Sequence, residues 1–167
     1  ENAVDLLQGD SPGLYAIAHE YLKQNIADEN LQIAVSKFLT GNDTGRSPLL
    51  RTLASIPLPE STVLQEALLK LATGNELVLS ELATKVVCFR YPALVDSLLE
   101  QITPGIRFGL CYSKREDLIA PLVASWGRER VLENPPISLG LLVTPRALAS
   151  IWEGDNELGF HLGRAFG

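Results

Sequence analysis

The chain has 167 residues, is 46% hydrophobic and carries 14 Lys+Arg against 20 Asp+Glu, a formal net charge of −6. That length and apolar content suffice for one domain, residues 1–167, with its own core. An acidic chain without a dense Lys/Arg stripe makes nucleic-acid binding an unfavoured function, because that affinity comes mainly from neutralising phosphates.

In chain order, residues 1–9 offer only a short apolar cluster, Val4, Leu6 and Leu7, closed by Gly9. Ser11-Pro12 then reads as a helix start, with Leu14, Ile17, Ala18, Tyr21 and Leu22 on the apolar face that follows. Asp28 caps a second helix, in which Leu31, Ala34, Val35, Phe38 and Leu39 keep helical spacing up to Thr40-Gly41. The stretch 41–47, GNDTGRS, is the strongest loop signal in the chain. Within it, Asp43-Thr44-Gly45 resembles the catalytic tripeptide of aspartic proteases, but that tripeptide belongs between apolar strands and both flanks here read as helices. Asn42-Asp43-Thr44 matches a glycosylation acceptor, which matters only in a secreted protein. Gly45-Arg46-Ser47, at the start of the next helix, offers N–H groups to an anion, and a plain capped helix start accounts for the same residues.

Residues 60–102 predict three more helices. Val63, Leu64, Ala67, Leu68 and Leu71 share one face, and Thr73-Gly74-Asn75 ends that helix at a tight corner. Leu77, Val78, Leu82, Val86 and Phe89 continue on a second helix. Pro92 suits the first turn of a third, followed by Leu94, Val95, Leu98, Leu99 and Ile102. Thr73-Gly74-Asn75 repeats Thr40-Gly41-Asn42 at an offset of 33 residues, with a looser echo in Thr103-Pro104-Gly105. Periods of this size belong to paired-helix repeats, so the expected fold is all-α, built of stacked antiparallel helical hairpins. None of the detailed signatures of tetratricopeptide or ankyrin repeats is present.

Between residues 106 and 143 a minor β element is the alternative to further helices. Ile106, Phe108, Leu110 and Tyr112 alternate with Arg107, Gly109 and Cys111, and 137–143 alternates too. Between these stretches, residues 113–126 read as a helix with Ser113 as cap and Glu116 in the capping-box position. Asn134-Pro135-Pro136 is a break, Thr144-Pro145 opens another helix ended by Gly154, and the last twelve residues are weakened as a helix by three glycines.

The chemistry is sparse. His19 and His161 are the two histidines, and no phosphate-binding glycine loop, Cys-x-x-Cys pair or nucleophile elbow occurs. Cys88 and Cys111 read as buried thiols, with a bridge between them left open at this level. No cofactor, catalytic residue or metal ligand is expected, and an enzyme is disfavoured without being excluded. With no apolar run of about 18 residues, the chain is expected to be soluble, without a membrane span, and intracellular, in the cytoplasm. Having no methionine even at position 1, it is expected to be a processed product or a fragment of something longer. The first 83 residues carry 5 Lys+Arg against 11 Asp+Glu, and the rest 9 against 9. Arg107, Lys114, Arg115, Arg128, Arg130, Arg146 and Arg164 could therefore gather into a basic face for an acidic partner protein, or for the acidic half of a second copy. Trp126 and Trp152 are the aromatic anchors such a face would use. The expected function is a non-catalytic protein-interaction or assembly module presenting a rigid helical surface. The alternative is a helical pocket for an apolar small ligand, or an accessory domain of an enzyme.

Overall fold

The computed structural model describes residues 12–41 and 44–167, and eleven α-helices occur among them with no strand. The expected Ser11 cap, the apolar cluster of residues 1–9 and the readings that depend on Asn42 and Asp43 lie outside the described residues. The helices are α1 (Pro12–Asn25), α2 (Glu29–Thr40), α3 (Arg46–Ser55), α4 (Thr62–Ala72), α5 (Leu77–Arg90), α6 (Val95–Leu98), α7 (Pro104–Leu110), α8 (Ile119–Trp126), α9 (Arg128–Glu133), α10 (Pro145–Gly154) and α11 (Asn156–Phe166). Short 3-10 turns flank α6, follow α7, precede α8 and lie between α9 and α10.

Side-chain caps start many of these helices, each satisfying an otherwise orphaned N–H. Asp28 accepts from the Leu31 N–H at 3.0 Å, Thr144 from Ala147 at 3.1 Å and Asp155 from Leu158 at 3.0 Å. Ser61 and Thr103 do the same for α4 and α7. The hydroxyls of Thr40 and Thr73 bond alike, although α2 runs through Thr40 and α4 stops one residue before Thr73. Thr40 Oγ1 donates to the Ser36 and Lys37 carbonyls at 2.9 and 3.3 Å, and Thr73 Oγ1 to Leu69 and Lys70 at 3.0 and 3.3 Å.

Helix α5 is the centre of the packing, in contact with α3, α4 and α7. It forms an antiparallel hairpin with α4, closed where Ser80 Oγ near its start donates to the Ala72 carbonyl at the end of α4. It runs in the same direction as α3, since Arg46 meets Glu76 at their starts, 3.0 Å apart, and Arg90 donates to the Ala54 carbonyl at their ends, 2.6 Å apart. Helix α7 follows the same direction on the other side, with Gly105 against Ser80 and Gly109 against Thr84. Helices α3, α5 and α7 thus form one co-directional row. A connected set of buried side chains, including Leu22, Leu39, Leu53, Leu68, Val87 and Leu110, joins α1 through α7, and the same cluster continues to Leu162 of α11.

Residues 106–143 contain no strand, and the helical alternative holds there: 106–110 belong to α7 and 137–141 form a 3-10 turn. The alternation that suggested a strand conceals a second period, because Gly105, Ile106, Gly109 and Leu110 are buried at helical spacing. In the fold the glycines form the contact face of α7. The expected single helix over 113–126 is also corrected. Lys114 takes a left-handed backbone with φ of 60°, and Ser113 Oγ accepts from the Arg115 N–H at 3.2 Å, so the chain turns there before α8 begins. Likewise the helix expected after Pro92 is broken into two 3-10 turns around the four-residue α6.

Candidate interaction surface

The residues expected to form a basic face have separate fates. Arg107 lies on α7 and turns inward, its Nη1 donating to the Ser125 carbonyl of α8 at 2.9 Å while its Nε is buried without a partner. Arg115 clamps two carboxylates, Asp96 at 2.6 Å and Asp117 at 2.5 Å. The paired guanidinium holds the Asp117 carboxyl below the usual carboxylate range. Arg128, at the start of α9, bridges to Asp155 at 3.0 Å and Glu157 at 2.9 Å. Trp126 is buried, 9% exposed, with its ring 6.0 Å edge-on from Phe108. Lys114, Arg130, Arg146 and Arg164 remain exposed on the second half. Arg146 borders a depression of about 260 Å³ that also contains Glu116 and Asp117.

Trp152 behaves differently. Helix α10 ends at Gly154, and the single residue Asp155 both closes it and caps α11. The two helices therefore fold back on each other. Gly159 lies so close that a Cβ there would fall 2.8 Å from Trp152 Cα, and one at Gly163 would meet Leu148 Cδ2 at 3.4 Å. Pairing of 152 with 159 and of 148 with 163 makes the hairpin antiparallel. It also carries Trp152 and Phe160 to one outer surface, 47% and 52% exposed, their rings edge-on at 6.4 Å. His161 adds a third ring 5.6 Å from Phe160. Phe160 had no periodic signal linking it to Trp152, because the two lie on different helices; the Gly154-Asp155 turn is the feature of the sequence that brings them together.

Two further groupings were not legible from spacing. Lys85 places its ammonium 4.0 Å from the centre of the Tyr112 ring and 5.8 Å from that of Phe89, a cation held over aromatic faces. His19 Nε2 lies 3.0 Å from Ser55 Oγ, joining α1 to α3. Ser55 Oγ also donates to the Thr52 carbonyl at 2.7 Å, so the hydroxyl links His19 of α1 to the last turn of α3.

Open depressions surround the second Thr-Gly-Asn corner. One of about 510 Å³ is lined by Thr44, Arg46, Glu76, Leu77 and Val78, and one of about 270 Å³ by Asn75, Leu77, Ser80, Thr103 and Pro104. Among the described residues, no three His, Cys, Asp or Glu side chains gather as a metal site, and no helix is long and apolar enough to cross a membrane. No protein-family model, curated protein or solved structure matches the chain.

Proposed function

We propose that this protein is a non-catalytic protein-binding module that engages its partner through the outer surface of the α10–α11 hairpin. The observation that carries this reading is the exposed Trp152–Phe160 pair, held on two short helices locked together at Gly159. Aromatic side chains on a rigid base lose little conformational entropy on binding, and for that reason they dominate interface energetics. The scaffold we propose is a short helical-repeat stack. Its support is the matched hydrogen bonding of Thr40 and Thr73 and the co-directional row of α3, α5 and α7. An intracellular, cytoplasmic setting goes with two unpaired, buried thiols at Cys88 and Cys111.

The second reading, a pocket for an apolar small molecule, draws on the depression beside Pro104. At about 270 Å³ it is smaller than sites that enclose such ligands, which run to roughly 300–1,000 Å³. The two readings separate in one experiment. A tagged chain is expected to retain a protein partner in stoichiometric amount, and a Trp152→Ala, Phe160→Ala variant with an unchanged melting temperature is expected to lose it. Retention by both would move the interface elsewhere, and a stoichiometric small molecule seen by native mass spectrometry would replace the module reading with the pocket.

A further inference from the structure

We infer that Cys88 and Cys111 form a dithiol that the fold holds ready to close into an internal disulfide, a redox-sensitive staple between α5 and the turn that follows α7. The two residues are distant in sequence and meet at one atom. The Gly109 carbonyl oxygen accepts from the Cys88 thiol, whose sulfur lies 3.7 Å away, and from the Cys111 N–H. The glycine contact brings them there. Side chains ordinarily keep helix axes about 8–10 Å apart; at Gly105 against Ser80 and Gly109 against Thr84 the side chains of α7 are missing, and the two backbones close up. Cys88 lies one turn beyond Thr84 on α5, and Cys111 lies just beyond Gly109. Both are buried, 7% and 0% exposed, and both are unpaired. A bridge needs Cα atoms roughly 4.4–6.8 Å apart, which only closely packed backbones supply. In the reduced chain the Cys111 thiol donates to the Arg107 carbonyl at 3.3 Å, so closure trades two weak thiol hydrogen bonds for one covalent bond.

The oxidant this step requires is a small-molecule disulfide of the glutathione class. The thiolate of one cysteine attacks it, releasing one glutathione thiolate and leaving a mixed disulfide. The thiolate of the other cysteine then attacks the protein sulfur of that mixed disulfide and expels the second glutathione. One S–S bond forms in the chain and one breaks in the oxidant. The cysteines lose two electrons and two protons, and the two departing glutathione thiols carry both. Because the cysteines are buried, the exchange runs through transient opening of the fold, and in a reducing compartment the pair stays as thiols. Closure would tie α5, the centre of the packing, to the turn on which the 3-10 segment 137–141 rests, and so fasten the second half of the chain to the first.

Equilibration of the whole chain in glutathione buffers of graded ratio, with and without concentrated urea, tests this. Mass spectrometry after acid quenching separates reduced, bridged and glutathione-bearing chains. The expected product in the folded protein is a monomer lighter by two hydrogens. The effective concentration of one thiol at the other is expected to be at least about tenfold higher in the fold than in urea. Chain bridged in urea and then refolded approaches the same equilibrium from the other side, so slow access to the buried thiols does not mask it. The bridged protein is also expected to melt at a higher temperature than the reduced one and to return on treatment with dithiothreitol. An effective concentration in the fold equal to or below that in urea overturns the inference. So does oxidation that ends in glutathione adducts or disulfide-linked dimers, or a bridged chain that melts lower.

Discussion

Gly109 of α7 lies against Thr84 of α5 so closely that a Cβ at Gly109 would fall 2.8 Å from the Glu81 carbonyl oxygen and overlap the Thr84 side chain. Four residues earlier, a Cβ at Gly105 would come within 2.9 Å of the Glu81 nitrogen. Two small residues on one helix thus receive the backbone of the other. At this contact Thr84 Oγ1 is buried with no hydrogen-bond partner among the described residues.

Gly109→Ala should therefore destabilise the protein by about 1–3 kcal/mol, because overpacking exceeds the gain of up to ~1 kcal/mol in helix propensity. Gly154→Ala, at a position with open space around it, should be neutral or stabilising by up to ~1 kcal/mol. Urea unfolding of the two variants checks the contrast, and equal behaviour would mean that the α5–α7 contact has room for a methyl group.

Burial pushes the Cys88 thiol from its ordinary 9.0 up to about 12, and the Cys111 thiol up to about 11. Burial is the leading cause for both, with the neighbouring Cys111 adding to the rise at Cys88. At pH 8 both should resist a thiol reagent in the native protein and react on unfolding. The sign of the pH dependence follows. In the unfolded chain the thiols ionise near 9, whereas in the fold they stay protonated, so stability is full below pH 9 and falls as pH rises toward 11–12. Rapid labelling of the folded protein at pH 8 would contradict the burial.

The Asp155 carboxyl lies below its ordinary range, first because it accepts from the Leu158 N–H and second because Arg128 is bound to it. A depressed carboxyl contributes stability that is present above its unfolded value of 3.8 and lost as pH falls through the folded value. Arg128→Ala should raise the Asp155 value only part of the way, since the cap remains, whereas Leu158→Pro would remove the donor. Carboxyl carbon shifts followed by NMR as a function of pH report both; full restoration in Arg128→Ala would mean that the cap contributes nothing.

The helix caps and apolar stripes were legible in sequence because they are local. Asp28, the Thr73 corner and the Thr144-Pro145 start each act through residues three or four positions away. What sequence could not supply depends on contacts across the chain. Gly105 and Gly109 show their role as a contact face only once Ser80 and Thr84 are known to face them. The strand alternative at 106–112 came from the same omission. Arg107, Arg115 and Arg128 read as available cations, and the carbonyl and carboxylates that hold them come from residues 2 to 29 positions away, on other elements in all but one case. Trp152 stood out in the sequence as one of two tryptophans, and it is exposed in the fold. Its partner Phe160 did not stand out, for lack of any period that spans a turn.

Helix α5 is held on three sides, whereas the α10–α11 hairpin packs chiefly on itself, with lesser contact to α9 and the 3-10 turn before α10. The amides of the two elements should accordingly exchange with solvent on different clocks, those of α5 only through global unfolding and those of the hairpin through a cheaper local opening. Whatever seats on Trp152 and Phe160 would close that cheaper route first, slowing exchange in α10 and α11 while leaving α5 as it was.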